Sequence, residues 1–180
     1  MAKKYRNDSS NMKEKKEFQE ELLDLARVTR VVRGGRRLRF RATVAVGDKK
    51  GRVGIGTGKS VEVALAVQKA VAKAKKSLIK VNLTEDLSVI HDLNIKFKSA
   101  RLIIMPASDG TGVKAGGVVR KIFELAGIHN VLAKRVGTTN PLVNAQATIL
   151  ALQELNKSEK QEKKEVKKEI NSEQKESSGS

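Results

Sequence analysis

Between Arg27 and Arg41 the chain carries seven arginines, Arg27, Arg30, Arg33, Arg36, Arg37, Arg39 and Arg41, and no carboxylate. A guanidinium is always charged, and its rigid fork of donors matches phosphate oxygens. Gathering so many without acids costs self-repulsion, which a polyanion relieves. RNA is the first candidate. A solvated strand face is the ordinary reading of isolated charges, but it does not account for this density. The steps of three from Arg27 to Arg39 alternate sides of a strand. They suit a loop projecting side chains in several directions, with Gly34-Gly35 letting the backbone turn sharply.

Two other segments invite chemistry. Gly54-Ile55-Gly56-Thr57-Gly58-Lys59-Ser60 looks like a nucleotide loop. A phosphate-binding loop of the Walker type needs glycine where Val53 stands, and a dinucleotide fingerprint needs glycine where Lys59 stands. Nucleotide hydrolysis is therefore the weaker reading. A strand-to-helix corner whose helix N-terminus also touches an RNA phosphate is the stronger one. Ser108 to Gly117 is a glycine-rich loop, yet no nucleophile, base and orienting partner accompany it. Asp109 reads as a turn residue. His91 and His129 are the only histidines and cysteine is absent, which excludes disulfides and thiolate metal sites. No metal, cofactor or small-molecule substrate is expected.

The 180 residues have a formal net charge of +17, the signature of a nucleic-acid binder. A membrane-surface protein is the other reading of charge alone. No apolar run approaches a membrane span and no signal-peptide core follows Met1, so a soluble cytoplasmic protein is expected. Aromatics are scarce, only Tyr5, Phe18, Phe40, Phe97 and Phe123. Base stacking needs aromatic faces, so phosphate, sugar and shape contacts should dominate.

The elements that would position these residues fall into two units, an α+β organisation. Residues 1–20 are expected to be a flexible polar arm. Residues 157–180, with seven Lys against six Glu, form a tail that is either disordered or a frayed solvated helix. The first unit, 21–80, reads as β-β-β-α. Its strands are Leu25 to Val32, Arg36 to Val46 and Arg52 to Thr57, joined by turns at Gly34-Gly35 and Gly47 to Gly51. In the second strand Leu38, Phe40, Ala42, Val44 and Val46 share one face, and Arg37, Arg39, Arg41 and Thr43 the other. A helix capped by Ser60 should run to about Ile79, burying Ala64, Val67, Val71, Ala74 and Leu78. The second unit, 86–156, reads as β-β-β-α-β-α. Strands are expected at Leu87 to His91, Asn94 to Lys98 and Arg101 to Met105. A helix from Val118 to Ala126 is stopped by Gly127, and a strand follows at Val131 to Val136. A last helix opens at Asn140-Pro141.

At this point several motifs, in order, resemble the bacterial small-subunit ribosomal protein five family. Arg27 to Arg36 resembles its basic loop. Val46-Gly47-Asp48, Gly51 to Gly54 and Gly56 to Lys59 are similar to its next strands. Pro106 to Gly112, Ala115 to Gly117, Ala126 to Lys134 and Gly137 to Pro141 complete the pattern, which covers about Leu22 to Leu155. Ile55 and Thr57 depart from it where aromatics are common, the Arg36-Arg37 pair and Arg39 are more basic than the usual strand, and the tail lies outside it.

The resemblance implies a double-stranded-RNA-binding-like first domain and a two-layer α/β second domain with a left-handed crossover, although parallel crossovers are generally right-handed. It implies a non-enzymatic constituent of the 30S subunit bound to 16S rRNA. Small-subunit ribosomal proteins four and eight would be neighbours, with mRNA nearby at the entry channel and an influence on translational accuracy. Thr29, Arg30 and Gly35 would border the spectinomycin site. Expected RNA contacts are Arg27, Thr29, Arg30, Arg33, Gly34, Gly35, Arg36, Arg37, Arg39, Lys49, Lys50, Arg52, Lys59, Lys69, Lys73 and Lys76 in the first unit. In the second they are Lys114, Arg120, His129, Asn130, Lys134, Arg135 and Asn140. A small phosphotransferase using Gly54 to Ser60, and an RNA chaperone acting off the ribosome, are the alternatives.

Overall fold

The structure, a computed structural model, describes residues 17–84 and 87–156. The expectations for residues 1–16 and for the tail 157–180 lie outside the described residues.

Two α+β units pack together. In the first, β1 (Gln19–Val32), β2 (Gly35–Gly47), β3 (Arg52–Ser60) and β4 (Ile79–Lys80) form an antiparallel sheet in the order β1-β2-β3-β4. Helix α1 (Val63–Lys76) covers one face. β1 begins at Gln19, well before the expected Leu25, because Gln19 to Leu22 pair with Val44 to Gly47 and Glu20 reaches Lys75 at 3.6 Å. The alternation expected in β2 is present: Ala42, Val44 and Val46 lie buried under α1.

The start of α1 corrects the sequence expectation. Ser60 is not a helix cap but the last residue of β3, paired with Phe40 and buried. Glu62 occupies the cap position without a side-chain cap bond. The buried stripe is Ala66, Ala70, Val71 and Ala74, while Ala64 is exposed. The reason lies across the interface. A methyl group at Gly54 would sit 2.7 Å from the Ala74 carbonyl oxygen, and at Gly56 and Gly58 it would overlap the carbonyls of Ala70 and Ala66. Glycines every second residue on the strand meet alanines every fourth residue on the helix, and the two backbones come into contact. Only the smallest side chains permit that approach.

The second unit has a sheet ordered β5-β6-β8-β7, made of β5 (Leu93–Phe97), β6 (Ala100–Pro106), β7 (Val113–Lys114) and β8 (Val131–Val136). β7 and β8 run parallel and the other pairs antiparallel. Helices α2 (Gly117–Ala126) and α3 (141–156) complete it. The β-β-β-α-β-α order holds, but through different segments. The expected strand Leu87 to His91 is reduced to one bridge, Ser88 to Asn130, and the third strand is the two-residue β7, emerging from the glycine-rich loop. Gly127 stops α2 in the left-handed region at φ 86, as expected. Asn140 caps α3 through Oδ1, which accepts from the Leu142 amide at 3.1 Å.

The units share a core. Ala45 and Val53, on the sheet face away from α1, join Phe123, Leu125 and Ile128 of the second unit in one buried cluster. The β2–β3 turn is tied to the end of α2: the amides of Lys49 and Gly51 donate to the carbonyls of Leu125 and Ala126 at 3.0 and 2.9 Å. Those carbonyls belong to the last helical turn, which otherwise lacks donors.

Candidate nucleic-acid interface

β1 and β2 stay paired from Gln19–Gly47 up to Val32–Gly35, but β3 pairs with β2 only as far as Phe40. The segment 28–39 therefore leaves the sheet as a two-stranded ribbon. It closes through a turn at Arg33 and Gly34, where Gly34 takes φ 85. This corrects the expected loop and its Gly34-Gly35 hinge. Gly35 has no positive φ and is already the first residue of β2.

The expected spread of arginines in several directions is achieved by strand alternation. Residues paired across an antiparallel ribbon share a face. Arg27, Thr29 and Val31 thus stand with Arg36, Leu38 and Phe40. On the other face Val28, Arg30 and Val32 stand with Arg37 and Arg39, continuing to Arg41 and Lys59. Arg33 lies at the tip. The arm arginines Arg27, Arg30, Arg33, Arg36, Arg37 and Arg39 are exposed, and none forms an ion pair with a described residue. Arg41 faces Asp24 at 3.9 Å.

Lys59 lies within β3, and no glycine loop opens onto the α1 N-terminus. The glycines expected to cradle a phosphate lie beneath α1, so the nucleotide-loop reading loses its geometry. Lys69, Lys73 and Lys76 are exposed on α1. Lys49 and Lys50 are exposed at the β2–β3 turn. Arg52 is engaged there: its Nε donates to Asp48 Oδ2 at 2.6 Å. The Asp48 side chain is only 4% exposed. That burial pushes its carboxyl up, but the hydrogen bond from Arg52, those from the Lys50 and Arg52 amides, and the Arg52 charge together hold it below its ordinary value.

In the second unit, Lys114, Lys134 and Arg135 border a concavity of about 360 Å³ beside Gly116. Arg120 pairs with Glu124 at 2.8 Å. His129 is exposed, and its amide donates to Leu87. Asn130, expected as a contact, is held inside the second unit. It is 5% exposed, its Nδ2 donates to Asp109 Oδ1 at 3.0 Å, and its Oδ1 accepts from the Gly112 amide at 3.3 Å. Asp109 also accepts from the Gly110 amide at 2.9 Å, which makes it the turn residue expected. Asn140 is occupied by capping α3. Two further exposed cations, Lys96 and Arg101, stand directly opposite each other across β5 and β6 and were not among the expected contacts.

The fold and the exposed arginine ribbon define a basic α+β protein whose surface suits a polyanionic partner. Comparison with known proteins is specific. The family model described as ribosomal protein S5, N-terminal domain, matches residues 18–82, and the one described as ribosomal protein S5, C-terminal domain, matches 95–166. The chain is 48% identical over 155 residues to the small ribosomal subunit protein uS5 of Synechocystis sp., covering 86% of this chain and 89% of that one. It is 50% identical over 156 residues to the uS5 protein of Gloeothece citriformis, with the same shares covered. The chain belongs to the ribosomal protein S5 family and is a ribosomal protein, not an enzyme. No helix of the described residues is long and apolar enough to cross a membrane.

Proposed function

We propose that the protein is a structural constituent of the 30S subunit that binds 16S rRNA through phosphate and shape contacts centred on the β1–β2 ribbon. The observation that carries this reading is the ribbon itself: exposed arginines on both faces and at the tip, with no carboxylate between Arg27 and Arg41. A projecting two-stranded arm can enter a crevice in folded RNA, and each phosphate it neutralises releases counterions. Lys49, Lys50, Lys69, Lys73 and Lys76 extend the cationic surface of the first unit, residues 21–80. Lys114, Lys134 and Arg135 do so in the second, 86–156.

The family relationship supports the finer assignments. Proteins four and eight of the small subunit are neighbours, mRNA passes nearby at the entry channel, and the protein influences decoding accuracy. Thr29, Arg30 and Gly35 lie beside the spectinomycin site. The decisive experiment is reconstitution of 30S subunits with the double variant Arg33→Glu and Arg36→Glu. Reduced incorporation and altered rRNA footprints around the arm are expected. Wild-type incorporation and footprints would refute the tip of the arm, Arg33 and Arg36, as a contact. Co-migration of the wild-type protein with 30S particles on a sucrose gradient separates this role from that of an RNA chaperone, which would stay near the top.

A further inference from the structure

The two faces of the ribbon are not equivalent. On one, Arg30 stands opposite Arg37, Val28 opposite Arg39, and Arg41 opposite Lys59. Like charges directly across an antiparallel pair repel, and this face has two such pairs. It is also concave: Arg30, Arg37, Arg39 and Lys59 surround a groove of about 290 Å³, with Val28 and Val32 among its walls. None of the four forms an ion pair with a described residue. The opposite face carries Arg27 and Arg36, separated by Thr29, Val31 and Leu38, and Val31 is 76% exposed.

Spacing identifies the occupant. Same-face residues of a strand are about 7 Å apart, twice the rise per residue. Positions 37, 39 and 41 of β2 therefore define three rungs at that interval. Arg37 with Arg30 occupies the first, Arg39 the second, and Lys59, beside the Asp24-facing Arg41, the third. This interval resembles the step between consecutive phosphates along one nucleic-acid strand. A protein surface would have to supply three carboxylates at a matching interval, whereas a phosphodiester chain supplies them by its covalent repeat.

We propose that the concave face of the ribbon is a rail for three consecutive phosphates of a single RNA strand, running from Arg30 and Arg37 across Arg39 to Lys59. This rests on the reading of the ribbon as an RNA contact and adds which face is used and in what order.

The test is filter binding of full-length protein to transcribed 16S rRNA over a series of KCl concentrations. Removing the rail with Arg30→Gln, Arg37→Gln, Arg39→Gln and Lys59→Gln together should flatten the slope of log affinity against log salt by about 2 to 3, from roughly 0.7 to 0.9 per phosphate. Arg27→Gln with Arg36→Gln on the opposite face should flatten it by less than 1. A separate Lys59→Gln variant should lose as much slope as Arg39→Gln, although it lies on another strand. Equal losses per residue from both faces, or no loss at Lys59, overturn the rail and leave the arm as an RNA contact. No change from either set overturns the rail and removes both faces of the ribbon from the interface. The substituted side chains are exposed, and circular dichroism with a thermal midpoint no lower than that of the wild type shows that the fold is retained.

Discussion

Gly56 of β3 lies directly beneath the carbonyl of Ala70 on α1, so near that a methyl group at residue 56 would overlap that oxygen. With Gly58 under Ala66 and Gly54 under Ala74, this seam brings helix and strand backbones together and sets the height of α1 over the sheet. Gly56→Ala should therefore destabilise the protein by about 1–3 kcal/mol, the usual cost of overpacking. Gly35→Ala, where nothing lies within 4 Å and φ is not positive, should be nearly silent. Urea unfolding of the two variants checks the contrast.

Asp48 gives the stability a pH dependence. Its carboxylate accepts from the Lys50 and Arg52 amides at 2.8 and 2.9 Å and from the Arg52 guanidinium. These bonds outweigh the effect of burial and depress its pKa in the folded state below 3.8. A depressed carboxylate stabilises fully at pH well above its unfolded value, and that contribution is lost as pH falls through the lower folded value. Asp48→Ala should lower stability at neutral pH by about 1–3 kcal/mol. The gap from wild type should narrow on acidification below about pH 4. Thermal melts of both proteins across pH 2–7 provide the measurement.

The seam between the units should unfold cooperatively with the rest. Gly127 has φ 86, and a side chain there would also meet the Lys49 carbonyl. Gly127→Ala should cost about 1–3 kcal/mol. It should also speed hydrogen exchange at the amides of Lys49 and Gly51, which donate to the end of α2. Unchanged exchange at those two amides would show that the turn does not depend on the helix end.

Asn130 should behave as a residue that orders a loop. Asn130→Ala removes the Oδ1 acceptor of the Gly112 amide and the Nδ2 donor to Asp109, which keeps only its bond from the Gly110 amide. A loss of about 1–3 kcal/mol is expected, together with greater protease sensitivity across 108–112. The salt slope of RNA binding should remain that of the wild type, which separates it from the arm variants.

Much of this molecule was legible along the chain because the signals are local. The alternation of β2 separated Ala42, Val44 and Val46 from Arg37, Arg39 and Arg41, since pleating alone puts alternate side chains on opposite faces. Gly127 and the Asn140-Pro141 pair marked helix ends through backbone requirements that hold in any tertiary setting. The charge imbalance of 27–41 was equally plain.

What escaped sequence reading depends on partners distant in the chain. Ser60 reads as a helix cap, but pairing with Phe40 keeps it in a strand. Gly54, Gly56 and Gly58 read as a phosphate corner, because a local window shows their freedom but not the helix lying on them. β7 is too short to carry a periodic signal and exists through its parallel partner β8. Asn130 looks like any polar residue after a helix until Asp109 and Gly112 close around it. The arginine run by itself determined that this protein needs a polyanion. Only the tertiary structure decided that the run is a ribbon with one concave cationic face, because β3 ends at Ser60, opposite Phe40, and brings Lys59 alongside Arg41.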